Sequence, residues 1–214
     1  MIKVVVFDFD GTLVDSNSIK HRTFDEVVAD LPGGPEALAL ARRTGGDRYR
    51  MFADVARRLG GEETLGAQLA TEYTRRCLRG IAWAPERRGA AAALRTLSKR
   101  GIKIWVNSST PRQDLPALLQ ARGILRFTAG VLGAPRSKAY NLRTILLQEQ
   151  AKPREAVVVG DGRDDETAAR RVGAWSVAIT AEGRASRRTG YAMPDLVRLP
   201  EVVLRLSSGR RRRR

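Results

Sequence analysis

Four short stretches of this 214-residue chain hold the side chains best suited to chemistry. "VVVFDFDGT" (Val4–Thr12) sets Asp8 and Asp10 two residues apart, with a Gly-Thr turn behind them. In a strand, residues i and i+2 share a face, so the two carboxylates are expected side by side, where like charges repel. "VNSSTP" supplies Asn107, Ser108, Ser109 and Thr110, "RSK" supplies Ser137 and Lys138, and "GDGRDD" supplies Asp161, Asp164 and Asp165. No histidine or cysteine accompanies them. A donor set made of oxygen suits a hard cation, Mg²⁺ above all, which keeps several waters and accepts phosphate oxygens as further ligands. Such an ion answers the repulsion between Asp8 and Asp10, and Lys138 adds a second positive charge.

The chemistry open to this set is phosphoryl transfer. A carboxylate held against phosphorus can attack it and form an acyl phosphate. A second carboxyl can protonate the leaving alcohol and then take a proton from the attacking water. The Ser108 hydroxyl, with Asn107 and Ser109 as rivals, and nearby turn N–H groups can donate to phosphoryl oxygens. Phosphate monoesters react so slowly unaided that the barrier must fall by about 20 kcal/mol or more, and dividing the reaction into two steps is a credible route.

These stretches need elements to bring them together. Short apolar runs alternate with longer helical patterns, which predicts an α/β fold: a Rossmann-like parallel sheet with helices on both faces. Candidate strands are Lys3–Phe7, Ile102–Val106, near Gly130–Leu132, Ala156–Val159, Ser176–Ile179 and Asp195–Leu199. "VVVF" and "AVVVG" are the continuous β-branched runs expected of strands buried on both faces. Each polar stretch follows a candidate strand, and ligands in open α/β sheets bind outside the carboxyl ends of the strands. Residues 16–85 read as several helices and no strand, broken at "PGGP" and "TGGD", so they are expected to form an inserted α-helical cap. The core is then 1–15 and 86–205, with a basic tail, expected to be disordered, over 206–214.

In this order, "VVVFDFDGT", "VNSSTP", "RSK" and "VVVGDGRDD" resemble the four motifs of the haloacid dehalogenase-like hydrolase superfamily. The likeness runs from residue 4 to about residue 200. It implies a Rossmann-like core, Mg²⁺ and an aspartyl-phosphate intermediate. By that resemblance Asp8 is nucleophile and metal ligand, and Asp10 is general acid and base with its main-chain carbonyl on the metal. Ser108, favoured by the spacing to Pro111, binds phosphate with Ser109 beside it. Lys138 steadies nucleophile and phosphoryl group, Asp161 binds Mg²⁺, and Asp165 supports from behind, while Asp164 has no assigned role. Members that cleave carbon–halogen or carbon–phosphorus bonds lack an aspartate at position 10, so a phosphatase or a phosphomutase is implied. The inserted helices resemble the cap of the phosphoglycolate phosphatase and β-phosphoglucomutase group, which selects the leaving group. There Lys20 in "DSNSIKH" and Arg48 in "GGDRYRMF" are the candidate substrate contacts, Arg48 through its fork geometry.

Taken singly, each feature has an ordinary explanation. Asp-Gly is a common turn pair, Asp161 after Gly160 is a plausible helix N-cap, and Asp164 suits a helix start. The ordered set is what outweighs them. His21, Cys77, Trp83, Trp105 and Trp175 are expected to be structural.

Composition narrows the alternatives. A hydrophobic share of 43% with 29% charged residues is that of a globular protein. No apolar run reaches the roughly 18 residues of a membrane span, nothing at the N-terminus reads as a secretory signal, and one cysteine excludes an internal disulfide. A cytoplasmic enzyme acting on a small phosphorylated metabolite, as monomer or homodimer, is expected. The net charge is +16, from 39 basic and 23 acidic residues. Sequence-specific nucleic-acid recognition is not expected, since aromatic residues make up only 6% of the chain. The dense run Gly209–Arg214 suits non-specific contact with polyanions.

Overall fold

A computed structural model describes residues 1–180 and 191–208. It divides into two compact units, Met1–Asp15 with Pro85–Arg214, and Ser16–Ala84. The first is an α/β unit. Its strands are β1 (Val4–Phe7), β2 (Lys103–Pro111), β3 (Gly130–Ala134), β4 (Ala156–Gly160), β5 (Trp175–Ile179) and β6 (Tyr191–Met193). They form one parallel sheet in the order β3-β2-β1-β4-β5-β6. The central strands are the β-branched runs, and every residue of β1 and β4 is buried. Chain order reverses at β1, so the crevice that a parallel sheet offers to ligands opens beside the end of β1.

The helices of this unit are α5 (Ala90–Lys99), α6 (Leu115–Ala121), α7 (Lys138–Gln148), α8 (Arg163–Val172) and α9 (Leu199–Ser207). Helix α7 buries Ala139, Leu142, Ile145 and Leu146 in a cluster with Val4, Val6, Trp105 and Val158. Gly130 lets the sheet accept Trp105, for a Cβ there would stand 2.3 Å from the indole ring.

The helical unit comprises α1 (Asn17–Val28), α2 (Gly34–Thr44), α3 (Arg48–Arg58) and α4 (Glu63–Trp83). Gly33, at φ 73°, turns the chain into α2, and Pro35 occupies the first turn, where its missing N–H costs nothing. Phe24, Phe52 and Tyr73 form an aromatic centre with ring separations of 4.2 to 5.7 Å. Asp54 is buried among these helices and accepts hydrogen bonds from Arg57, Arg58 and Thr44. No described helix is long and apolar enough to cross a membrane.

Four expectations need correction. Strand β2 does not stop at Val106 but runs on to Pro111, with a register shift against β3 between Asn107 and Pro111. Asp195–Leu199 is not a strand. The last strand lies earlier, at Tyr191–Met193, because Asp195 folds back to accept from the Val197 N–H and Pro200 opens α9. That helix continues through Ser207, past the expected start of the tail at 206, and Gly209–Arg214 lie outside the described residues. Trp83 is 90% exposed rather than packed. It follows the buried Ile81 by two residues, about 200° around α4, and so faces away from it.

Candidate active site

The site is built where the strands end. Past Phe7 the Asp8 N–H still donates to the Val159 carbonyl of β4 at 2.8 Å, and the chain then folds into a tight turn, with Leu13 N–H and Val14 N–H both donating to the Phe9 carbonyl. Gly11, at φ 77°, takes the left-handed conformation that this turn requires. The two carboxylates accept from different donors. Asp8 Oδ2 accepts from Lys138 Nζ at 2.8 Å, and Asp8 Oδ1 from the Phe9 N–H at 2.7 Å. Asp10 Oδ2 accepts from Thr110 Oγ1 at 2.8 Å, with both residues buried.

Lys138 is the first residue of α7, whose start is set by Ser137. The Ser137 hydroxyl accepts the Tyr140 N–H, an ordinary N-cap. The Lys138 ammonium reaches Asp8 at 2.8 Å, Asp165 at 2.8 and 2.9 Å, and Asp164 at 3.1 Å. Burial alone draws a lysine toward its neutral form, but the charges of Asp8, Asp165 and Asp164 outweigh it. Lys138 is held well above its ordinary value and remains an ammonium. Burial and the charge of Asp8 push the Asp165 carboxyl upward, with Lys138 opposing.

Asp161 follows β4, and α8 begins two residues later. Asp161 is not the N-cap of that helix. Gly162 takes the cap position, and its N–H donates to the Asp165 carboxylate at 3.3 Å. Thr12 Oγ1 donates instead to Asp161 at 3.2 Å, tying the turn after β1 to the end of β4. Gly160 has to be glycine for packing reasons. A Cβ there would lie 2.2 Å from Asp165 Cγ, so only a bare backbone lets that carboxylate lie against the strand.

Carboxylate oxygens of Asp8, Asp161 and Asp165 lie within 4.8 Å of one another. Asp8 and Asp165 are buried, and Asp161 is half-buried. One ammonium faces this negative charge, so a cation fits the deficit, and an all-oxygen donor set fits a hard divalent one. Lys138 engages both oxygens of Asp165 but only Oδ2 of Asp8.

Ser108 lies in the irregular stretch of β2, is buried, and accepts the Thr110 N–H at 3.2 Å, so its own proton can be directed elsewhere. Ser109 is exposed, 3.4 Å from Asp164. Lys20 and Arg48 belong to the helical unit. Lys20 is half-buried in α1. Arg48 is half-buried at the start of α3, 5.0 Å from the Tyr49 ring centre, and its Nε has no hydrogen-bond partner among the described residues.

Three contributors have no role in the sequence motifs. Thr110 holds Asp10, and Thr12 holds Asp161. Asn141 Nδ2 donates to Asn107 Oδ1 at 3.0 Å and to the Gly133 carbonyl at 3.3 Å, while Asn107 Nδ2 donates to the Lys138 carbonyl at 3.0 Å. This buried amide bridge fastens the start of α7, and hence Lys138, to β2. A signal for it existed: Asn141 falls at helical spacing with Lys138, Leu142 and Ile145, a polar residue on an inward face.

A family profile described as haloacid dehalogenase-like hydrolase matches residues 2–173. The chain is 30% identical to a phosphoglycolate phosphatase of Synechococcus elongatus, over 95% of this chain and 96% of that one. It is 26% identical to phosphoglycolate phosphatase 1 of Pseudomonas aeruginosa, over 91% of this chain and 75% of the relative. Among solved structures, a haloacid dehalogenase-like hydrolase from Streptococcus pneumoniae superposes with a TM-score of 0.75 at 22% identity, covering 94% and 98% of the two chains. By the profile match over residues 2–173 and the 30% identity to a full-length relative, the chain belongs to the haloacid dehalogenase-like hydrolase family.

Proposed function

We propose that this hydrolase is a cytoplasmic, Mg²⁺-dependent phosphatase that cleaves small phosphorylated metabolites through a phosphoryl group carried on Asp8. The observation that carries the reading is the division of labour between two buried aspartates. Asp8 faces the Lys138 ammonium, whereas Asp10 is held separately by Thr110. A carboxylate beside a fixed positive charge is placed to attack a phosphate dianion, and a second one that accepts from a neutral hydroxyl can handle a proton.

In this reading the Asp8 oxygen forms a bond to phosphorus as the ester oxygen departs, and Asp10 gives that oxygen its proton. A water then attacks phosphorus, Asp10 takes a proton back from it, and the Asp8 carboxylate is regenerated with release of inorganic phosphate. Ser108 donates its hydroxyl to a phosphoryl oxygen, with Ser109 nearby, and Lys138 neutralises charge on the transferring group. Asp8, Asp161 and the Asp10 main-chain carbonyl would hold the ion, which would supply positive charge to the phosphoryl group. Asp165 keeps Lys138 in place. Lys20 and Arg48 are assigned to substrate selection, with the helical unit acting as cap.

The relatives named phosphoglycolate phosphatase make 2-phosphoglycolate the first substrate to try. Asp8→Asn is expected to abolish phosphate release from it and from p-nitrophenyl phosphate with an unchanged circular dichroism spectrum, and EDTA is expected to stop the unaltered enzyme. Undiminished turnover in either case overturns the reading. Isomerisation of a sugar phosphate without phosphate release would instead identify a phosphomutase.

A further inference from the structure

The excess positive charge of this chain is unevenly placed. The helical unit carries eleven basic and nine acidic residues, and many are paired, such as Arg57 and Arg58 with Asp54 and Arg75 and Arg76 with Glu72. The α/β unit holds nearly all of the net excess, with 28 basic against 14 acidic residues, because acidic residues are sparser there while basic ones are about as dense as in the helical unit.

Within the α/β unit, part of that excess collects at the end of the sheet where the strands begin, a strand's length from the carboxylates. Lys3, Lys103, Arg126, Lys152 and Arg154 lie just before or at the first residues of β1, β2, β3 and β4, and all are exposed. Hydrogen bonds make them neighbours: Lys103 N–H donates to the Lys3 carbonyl at 2.9 Å, and Lys3 N–H to the Glu155 carbonyl at 2.8 Å. The last turns of α5 and α8 bring Lys99, Arg100, Arg170 and Arg171 to the same end, and Gly173, closing α8, packs on Pro153. Among the described residues, Glu149 and Glu155 oppose them there, and Glu155 pairs with Lys3 at 3.1 Å. Helix dipoles explain basic residues in the last turns, but not the five at the strand starts. Helix α9 ends at this pole too, since Ile2 N–H donates to Ser207 Oγ at 3.0 Å, and the sequence GRRRRR follows.

We infer that this pole of the α/β unit is a docking surface for the phosphodiester backbone of double-helical nucleic acid. A rigid platform of guanidinium and ammonium groups fits closely spaced phosphates and needs no base contacts. Among the described residues the pole offers no fully exposed aromatic side chain on which unpaired bases would stack, which favours a duplex over a single strand. The surface lies away from the strand-end carboxylates, so the inference stands apart from the phosphatase reading.

The test is fluorescence anisotropy with a labelled 20-base-pair DNA duplex of arbitrary sequence, titrated across a range of salt concentrations. The whole protein is expected to bind with a log Kd that climbs steeply with log salt. A variant combining Lys103→Gln, Lys152→Gln, Arg154→Gln and Arg171→Gln should bind about ten-fold or more weakly, its slope falling by roughly 0.9 for each phosphate no longer neutralised. A variant combining Arg22→Gln, Arg43→Gln, Arg50→Gln and Arg79→Gln, with the same change in net charge, should keep the slope. Both should hydrolyse p-nitrophenyl phosphate as the parent does, which controls for folding. Equal weakening by the two sets, no weakening by the first, or loss of all binding on removal of Gly209–Arg214 with the pole intact, overturns the inference.

Discussion

At the scale of single residues, the site depends on how each carboxylate is compensated. Lys138 sits among three of them, and its charge is what allows Asp8 and Asp165 to be buried together. Asp10 depends on a neutral donor. Thr110→Val removes the hydrogen bond to its carboxylate while preserving shape, and bonds to charged groups contribute about 1.5–3 kcal/mol. If that bond sets the position of the proton carrier, kcat for phosphate release falls about 10-fold or more with little change in KM. Thr110→Ser, which keeps the hydroxyl, should restore most of it. A Thr110→Val enzyme with parental kcat would show that Asp10 needs no such support.

At the scale of elements, the question is what fixes helices to strands. The Asn107–Asn141 bridge joins β2 to α7 in the buried layer. Asn141→Leu leaves the Asn107 oxygen and the Gly133 carbonyl without their donor, and each such buried group costs about 1–3 kcal/mol. Urea denaturation should therefore show a stability loss of about 2–6 kcal/mol. Phosphate release should fall as well, because the bridge also holds the main chain of Lys138. In the helical unit, burial alone would raise the Asp54 carboxyl, but the hydrogen bonds and charges of Arg58 and Arg57 prevail and hold it below its ordinary value. A carboxyl lowered on folding stabilises the fold above its unfolded pKa, and that contribution disappears as pH falls through the folded one. The melting-temperature gap between parent and Asp54→Asn should thus be full at pH 7 and shrink below about pH 4. A gap that stays constant as the solution is acidified through that range would remove the ion pairs as its cause.

At the scale of the whole molecule, the helical unit leaves and re-enters the α/β unit at one place. Asp15 N–H donates to the Pro85 carbonyl at 2.8 Å, and Val14 bridges Glu86. Both ends of the insertion are thus tied within the α/β unit itself, and Arg87 reinforces the junction by donating to the Gly11 carbonyl at 2.8 Å. Replacing residues 16–84 by a short Gly-Ser linker is expected to leave a folded α/β unit that still hydrolyses p-nitrophenyl phosphate. It should lose its discrimination among metabolite phosphates, as measured by the spread of kcat/KM across a panel. A shortened chain that keeps the parental ranking would move substrate selection out of the helical unit.

How much could be foreseen differs along the chain for physical reasons. The sheet, the strand-end carboxylates and the long helical insertion were legible because local patterns specify them. Continuous β-branched runs want burial on both faces, and polar turns close them. The extension of β2 to Pro111, the late strand Tyr191–Met193 and the outward face of Trp83 were not, since each depends on neighbours far away in sequence. The same holds within the site. Residue types alone determined that Asp8, Asp10, Lys138 and Asp161 would gather at the strand ends and suit a hard cation. The resemblance already implied that Lys138 stands by Asp8; only the tertiary structure decided that Thr110 holds Asp10 and Thr12 holds Asp161, because partners 100 and 149 residues apart are chosen by packing rather than by local pattern.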